Sequence, residues 1–272
     1  MQNELKTAIR FDDFYAAFRS KGVVAMAWWL GALHAEQVRT EHQSFPFLHI
    51  VGGPGSGKTF LISYLWKLLG EEEFTACSPE YATPAGRTRS LFNASKPIVI
   101  LESVPNTEST FDWDELRDLY SSGGTTRHAQ QSGAEETRFR GALAIISNSP
   151  LKCSELLDQR MAQIELGSAH TEEGMKGVLA LRGLSAKQAG VFGLAVEHRR
   201  QHHLSTFNKL APAYTAAWFE ESAGPSPRAA KNGGQLMAWV DVLSSMLDLS
   251  DVQRLTALDS IKLIIDEDFH PF

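Results

Sequence analysis

The stretch Val51-Gly52-Gly53-Pro54-Gly55-Ser56-Gly57-Lys58-Thr59 constrains this chain more than any other segment. An apolar run, FPFLHIVG (45–52), leads into it, and TFLISYLWKLL (59–69) follows with apolar residues on most faces. A short buried strand, a glycine turn and a helix, in that order, leave few folds open. Gly52-x-x-x-x-Gly57-Lys58-Thr59 is the Walker A pattern in its proper context. Glycines let backbone N–H groups turn inward around phosphate oxygens, and the helix N-terminus adds the positive end of its dipole. Lys58 is placed to reach the β- and γ-phosphates, and the Thr59 hydroxyl to hold Mg²⁺. The residues expected around the nucleotide are Gly52, Gly53, Pro54, Gly55, Ser56, Gly57, Lys58, Thr59 and Phe60. The pattern specifies nucleoside triphosphate binding and is silent about the work done.

Two further apolar runs, KPIVILES (96–103) and GALAIISNS (141–149), read as strands buried on both faces, with AQIEL (162–166) as a possible fourth. Helices are expected over 113–122 and, in two pieces broken near Lys21-Gly22, over 10–40. Residues 71–86 read as loop, with Pro79 and Pro84 as breakers. Strands alternating with helices argue for an α/β fold with a mostly parallel sheet flanked by helices. Beyond residue 170 only helical runs remain: 171–181, 185–204, 206–221, 234–247 and 250–267, with SAGPSPRAAKNGG (222–234) as a break. The expected organisation is N-terminal helices (1–44), an ATPase core (45–170) and a C-terminal helical region (171–272).

The strand Ile98–Leu101 delivers Glu102 to its C-terminal end, where ligands sit in such sheets. An acid there can hold the Mg²⁺ water shell, which makes Glu102 a Walker B candidate. The usual arrangement has two acids, the second polarising the attacking water. If Glu102 holds the metal, the base must come from elsewhere; if Glu102 is the base, Leu101 fills the metal position. Asn148 ends the strand ALAIISN, where an amide can orient water and where asparagine also serves as a turn residue. GGTTRHAQQSGAEETRFRG (123–141) reads as two polar arms with a turn near Gln131-Ser132-Gly133. Arg127, His128, Arg138 and Arg140 make it cationic, and Glu135 and Glu136 partly cancel that charge. It is either a solvated hairpin or one that touches nucleic-acid phosphates.

A formal net charge of −6 over 272 residues argues against a protein that coats DNA with its whole surface. The two cysteines, Cys77 and Cys153, have no metal-type spacing and read as reduced thiols of a cytoplasmic protein. The start lacks the apolar stretch of a secretory leader. The most apolar run, 22–35, is shorter than the ~20 residues a bilayer requires.

Walker A, a strand ending in an acid, a polar hairpin, a strand ending in Asn and then an arginine: this order resembles the superfamily III and AAA+ helicase ATPases. More narrowly, QSFPFLHIVGGPGSGKTFLISYLWKLLG, KPIVILES, FDWDELRDLYSSG and FRGALAIISN look like the helicase-type domain of phage and integrating-element primase–helicases, often joined to a toprim module. The resemblance covers residues 20–170 well and the helical tail, including KNGGQLMAWVDVL (231–243), more loosely. It implies ATP and Mg²⁺ as ligands, Lys58, Glu102 and Asn148 in catalysis, and Thr59 with Glu102 on the metal. It implies that Arg160 is an arginine finger for a neighbouring subunit's nucleotide, and that Arg127 and His128, with Arg138 and Arg140, grip DNA. It further implies single-stranded DNA as partner, a homo-oligomeric ring, hexameric by analogy, and a possible primase partner. The single Walker B acid departs from the pattern and favours a second reading, a slow nucleotide-dependent switch or assembly factor. A small-molecule kinase is a third reading, with the helical tail against it.

His198 and His202 lie at one-turn spacing without a third ligand nearby, which reads as a solvated helix face. Trp28, Trp29, Trp66, Trp113, Trp218 and Trp239 mostly sit in helical patterns and read as core or interface rather than base-stacking platforms. Arg87 and Arg89 read as surface.

Overall fold

The structure, a computed structural model, describes residues 2–92, 97–104, 111–121, 138–167, 171–219 and 225–267. It opens with α1 (Gln2–Ala8), α2 (Phe11–Ala32) and α3 (Ala35–His42). The glycine loop follows β1 (Phe47–Val51) and leads into α4 (Lys58–Lys67). Next come β2 (Ala76–Cys77), α5 (Pro84–Leu91), β3 (Ile98–Glu102), a 3-10 helix (Trp113–Tyr120), β4 (Ala142–Ser147), α6 (Glu155–Asp158) and β5 (Met161–Glu165). The remaining elements among the described residues are helices: α7 (Glu172–Arg182), α8 (Ala186–Ala189), α9 (Val191–His198), α10 (Arg200–Trp218), α11 (Pro227–Leu247) and α12 (Asp251–Glu267).

The five strands lie in the order β2-β3-β4-β1-β5, and every neighbouring pair is parallel. All strand C-termini therefore share one edge. The central strands are apolar except for buried His49 in β1 and Ser147 in β4, because both faces are covered. On one face Leu48, Ile50, Ala142, Ala144 and Ile146 join a large core with Trp28, Trp29, Trp66 and Trp239. On the other face Phe47, Val99, Leu101, Leu143 and Ile145 join a smaller core with Trp113, Leu116 and Tyr120. The large core runs without interruption from α2 through the sheet to α10, α11 and α12. All six tryptophans are buried. Among the described residues, no helix is long and apolar enough to cross a membrane.

Several boundaries differ from the sequence reading. The break in α2 falls at Arg19, which has φ 51° and ψ −146°, rather than at Lys21-Gly22. Gly22 instead lets the chain pack closely, since a Cβ there would lie 2.4 Å from the Phe18 Cβ. Residues 71–86 contain β2 and the start of α5, whose Thr83 cap accepts from the Gly86 N–H. The 113–122 segment is helical but forms a 3-10 helix. Lys231–Gly234 belongs to α11 and not to a break. Gly234 faces α10, where a Cβ would lie 2.8 Å from the Thr215 nitrogen, so the glycine permits close helix contact at the expense of helix propensity. Helix α11 starts instead where Ser226 caps the Ala229 N–H and Pro227 takes the first turn.

Candidate functional site at the strand C-termini

The glycine loop emerges from β1 at the C-terminal edge. Gly55 and Gly57 have φ of 80° and 92°, which favours glycine. Gly52 is fixed by space: a Cβ would fall 2.4 Å from the Leu166 carbonyl oxygen and 2.5 Å from Ser56 Oγ. Gly57 then takes the N-cap position of α4, so Lys58 and Thr59 begin the helix.

Lys58 is buried and turned back into the loop. Its ammonium donates to the Gly52 carbonyl, to the Gly53 carbonyl at 3.1 Å and to Asn148 Oδ1 at 3.0 Å. Burial pulls the Lys58 pKa down, and the negative charge of Glu102 opposes that shift. Lys58, Asn148 and Glu102 thus meet at one edge, from α4, the end of β4 and the end of β3. Asn148, Glu102 and Thr59 are exposed there. Leu101 is only 2% exposed and belongs to the smaller core, so no second acid occupies that position.

A further carboxylate lies at the same edge. Ser103 donates its backbone N–H to the Ile146 carbonyl at 2.8 Å and its hydroxyl to Glu80 Oε1 at 2.8 Å. Glu80 follows β2, an element the sequence reading did not contain.

Beside the loop opens a cleft of about 610 Å³. Gly55, Ser56, Gly57 and Phe60 form one wall, Phe18 and Arg19 of α2 another, and Met175, Val178 and Arg182 of α7 a third. Phe18 and Phe60 stack with centroids 6.2 Å apart. Arg19 pairs with Glu173 of α7 across the opening. Helix α7 therefore sits against the glycine loop. Its contribution had no local signal, because the lining residues are separated by more than a hundred positions.

Arg160 lies elsewhere. Its carbonyl accepts from the Phe47 N–H at 2.9 Å, at the opposite end of β1 from the loop. A five-residue strand at ~3.3 Å per residue separates the two ends by roughly 16 Å. The guanidinium donates to the Leu156 carbonyl and lies 5.5 Å from the Tyr120 ring centroid. Burial, and secondarily Arg228, pull its pKa down. Arg138 and Arg140 are exposed at that same opposite edge, before β4. Arg140 pairs with Glu36 at 3.5 Å. Buried Arg39 donates to the Arg140 and Gly141 carbonyls and stacks 5.0 Å over Phe139, which fixes the entry to β4. Arg127 and His128, and the turn at 131–133, lie outside the described residues.

His198 closes α9 and His202 lies in α10, so the helix break at Arg199 separates them. Among the described residues, no cluster of three or more His, Cys, Asp or Glu can hold a metal ion. Arg87 is half-buried over Phe111, 4.8 Å from its centroid, and Arg89 is exposed.

A five-stranded parallel sheet flanked by helices is an α/β fold also found in a solved helicase. The solved structure of the SCCmec type IV Cch active helicase shares it, with a TM-score of 0.67 and 13% identity. The match covers 95% of this chain and 51% of that one, so the chain spans about half the length of the helicase. No family model matches the sequence, and no curated protein matches it.

Proposed function

We propose that the chain is an ATP-binding, Mg²⁺-dependent ATPase of the phage or mobile-element DNA helicase type, acting on single-stranded DNA. The observation that carries this is the meeting of Lys58 with Asn148, within reach of the Glu102 charge, at the mouth of the glycine loop. The donor set suits a Mg²⁺-triphosphate: backbone N–H groups on unhindered glycines, one ammonium, one hydroxyl and one carboxylate. Among the described residues, Gly53 and Gly55 have nothing within 4 Å of a would-be Cβ, which leaves room for phosphate oxygens beside the backbone. Residues Gly52 to Phe60 would hold the nucleotide, with Lys58 on the phosphates and Thr59 and Glu102 on the metal. Asn148 would orient the attacking water. Bound Mg²⁺ would neutralise charge developing on the phosphates. The cleft lined by Phe18, Phe60 and Met175 suits the base.

Arg160 is too far from its own loop to serve it. As a finger it would act on the nucleotide of an adjacent copy in a ring, hexameric by analogy. The 123–141 segment, with Arg127, His128, Arg138 and Arg140, would contact DNA, and a primase would be a separate partner. This reading divides the chain at residues 44 and 170 by role, with α7 reaching the nucleotide from the C-terminal region.

A second reading, a slow nucleotide-dependent switch, is favoured by Leu101, which is buried where a second acid would stand. ATP turnover with and without single-stranded DNA, beside Lys58→Ala, separates the two. DNA-stimulated turnover that the variant loses supports the motor. Nucleotide binding with negligible turnover under both conditions supports the switch. Neither binding nor turnover would overturn both.

A further inference from the structure

Strand β1 carries one imidazole among apolar residues. His49 is 0% exposed, in a strand flanked by β4 and β5, on the face that packs into the smaller core. Burying a polar ring there is costly unless it is hydrogen-bonded. Its Nε2 lies 2.8 Å from Ser147 Oγ. Ser147 donates its own hydroxyl hydrogen to the Ser149 carbonyl at 2.7 Å. The serine oxygen is therefore the acceptor from the histidine, and Nε2 carries the hydrogen. Two hydrogen bonds in series thus straddle Asn148, with one serine before it and one after. The Ser147 carbonyl also accepts from the Gly52 N–H at 3.3 Å, which ties the same residue to the glycine loop. Burial holds the ring neutral, its pKa pulled down to about 4 against a smaller push from Gln163, its register partner on β5.

We infer that His49 is a positioning residue: through Ser147 it sets the 147–149 turn so that the Asn148 carboxamide meets Lys58. Its effect on turnover rests on the ATPase reading above; its effect on the turn does not. Without the histidine the Ser147 hydroxyl can rotate, the Ser149 carbonyl loses its donor, and Asn148 leaves the lysine. A purely structural histidine would stabilise the sheet and leave the carboxamide where it is.

The test is the Asn148 side-chain amide signal in ¹⁵N-labelled full-length protein, assigned by its loss in Asn148→Ala. His49→Leu and Ser147→Ala should each move that signal to the position of an amide without the Lys58 contact. His49→Gln, which keeps a donor near the Nε2 position, should restore it. A signal unmoved in folded His49→Leu and Ser147→Ala overturns the inference, and Ser147→Ala with His49→Gln decide it if His49→Leu does not fold. Turnover gives an independent arm. His49→Leu should lower kcat by about tenfold, the scale of one hydrogen bond, with KM within about twofold. In an Asn148→Ala background it should lower kcat no further, whereas additive losses would mean that His49 acts elsewhere. If the wild-type chain hydrolyses no ATP, the function reading fails while the amide signal still decides the role of His49.

Discussion

Asn148 Oδ1 accepts a hydrogen bond from the Lys58 ammonium at 3.0 Å, joining the end of β4 to the first residue of α4. Among the described residues, the amide and the Gly52 and Gly53 carbonyls give the buried cation three acceptors and no negative charge in direct contact. A neutral acceptor leaves the lysine available to an anion. Asn148→Asp would replace it with a carboxylate and form an ion pair. Nucleotide affinity is expected to fall more than about tenfold, since the new charge repels phosphate as well as holding the lysine. The exposed position should leave the melting temperature close to wild type. Titration with a fluorescent ATP analogue checks this, and unchanged affinity would place the Lys58–Asn148 contact outside the nucleotide site.

Gly52 and Gly53 are neighbours with opposite tolerance. A methyl group on Gly52 would fall 2.4 Å from the Leu166 carbonyl oxygen, which is backbone and has little freedom to yield. On Gly53 it would meet nothing within 4 Å among the described residues. Gly52→Ala is expected to cost about 1–3 kcal/mol, as overpacking does, and to displace the loop from Lys58. Gly53→Ala should unfold like wild type. Denaturant titration of both variants checks the contrast, and equal stabilities would remove the close approach of β5 from the account of this loop.

The sequence made the centre of the fold readable and left its edges obscure, for physical reasons. Strands β1, β3 and β4 are mostly apolar and buried, and Gly52–Thr59 carries its own geometry, so the sheet and the loop were legible locally. Strand β2 is two half-buried residues, Ala76 and Cys77, with no periodicity to detect, and Glu80 was missed with it. His49 looked like part of an apolar run; its one signal was a titratable residue where both faces should be buried. Phe18 and Met175 line one cleft because α2 and α7 meet in space, which no local pattern encodes. Glycine misled in the other direction: Gly22 and Gly234 read as breaks but serve helix packing.

Three buried histidines give the chain an acid-sensitive stability. Burial is the main cause in each: it pulls His34 down to about 3 and His49 and His203 to about 4. Arg200 and His203 add to the shift at His34, with Glu197 opposing, while His202 and Arg199 add to it at His203. The unfolded chain takes up these protons near pH 6.5, and the folded chain does so only near 3–4. Between those values the unfolded state binds more protons, so stability is present in full above about pH 6.5 and falls as the pH drops. Each histidine adds a slope of up to about 1.4 kcal/mol per pH unit. His34 offers the clean test: its ring stacks on Trp239 with centroids 5.4 Å apart, and neither nitrogen has a hydrogen-bond partner among the described residues. His34→Phe should keep the stacking, match wild type at pH 7.5 to within about 1 kcal/mol, and lose up to about one proton's worth of slope between pH 5 and 6.5. Urea denaturation at several pH values measures this directly. A slope identical to wild type would mean that His34 takes up its proton without unfolding, and that its contact with Trp239 opens to water.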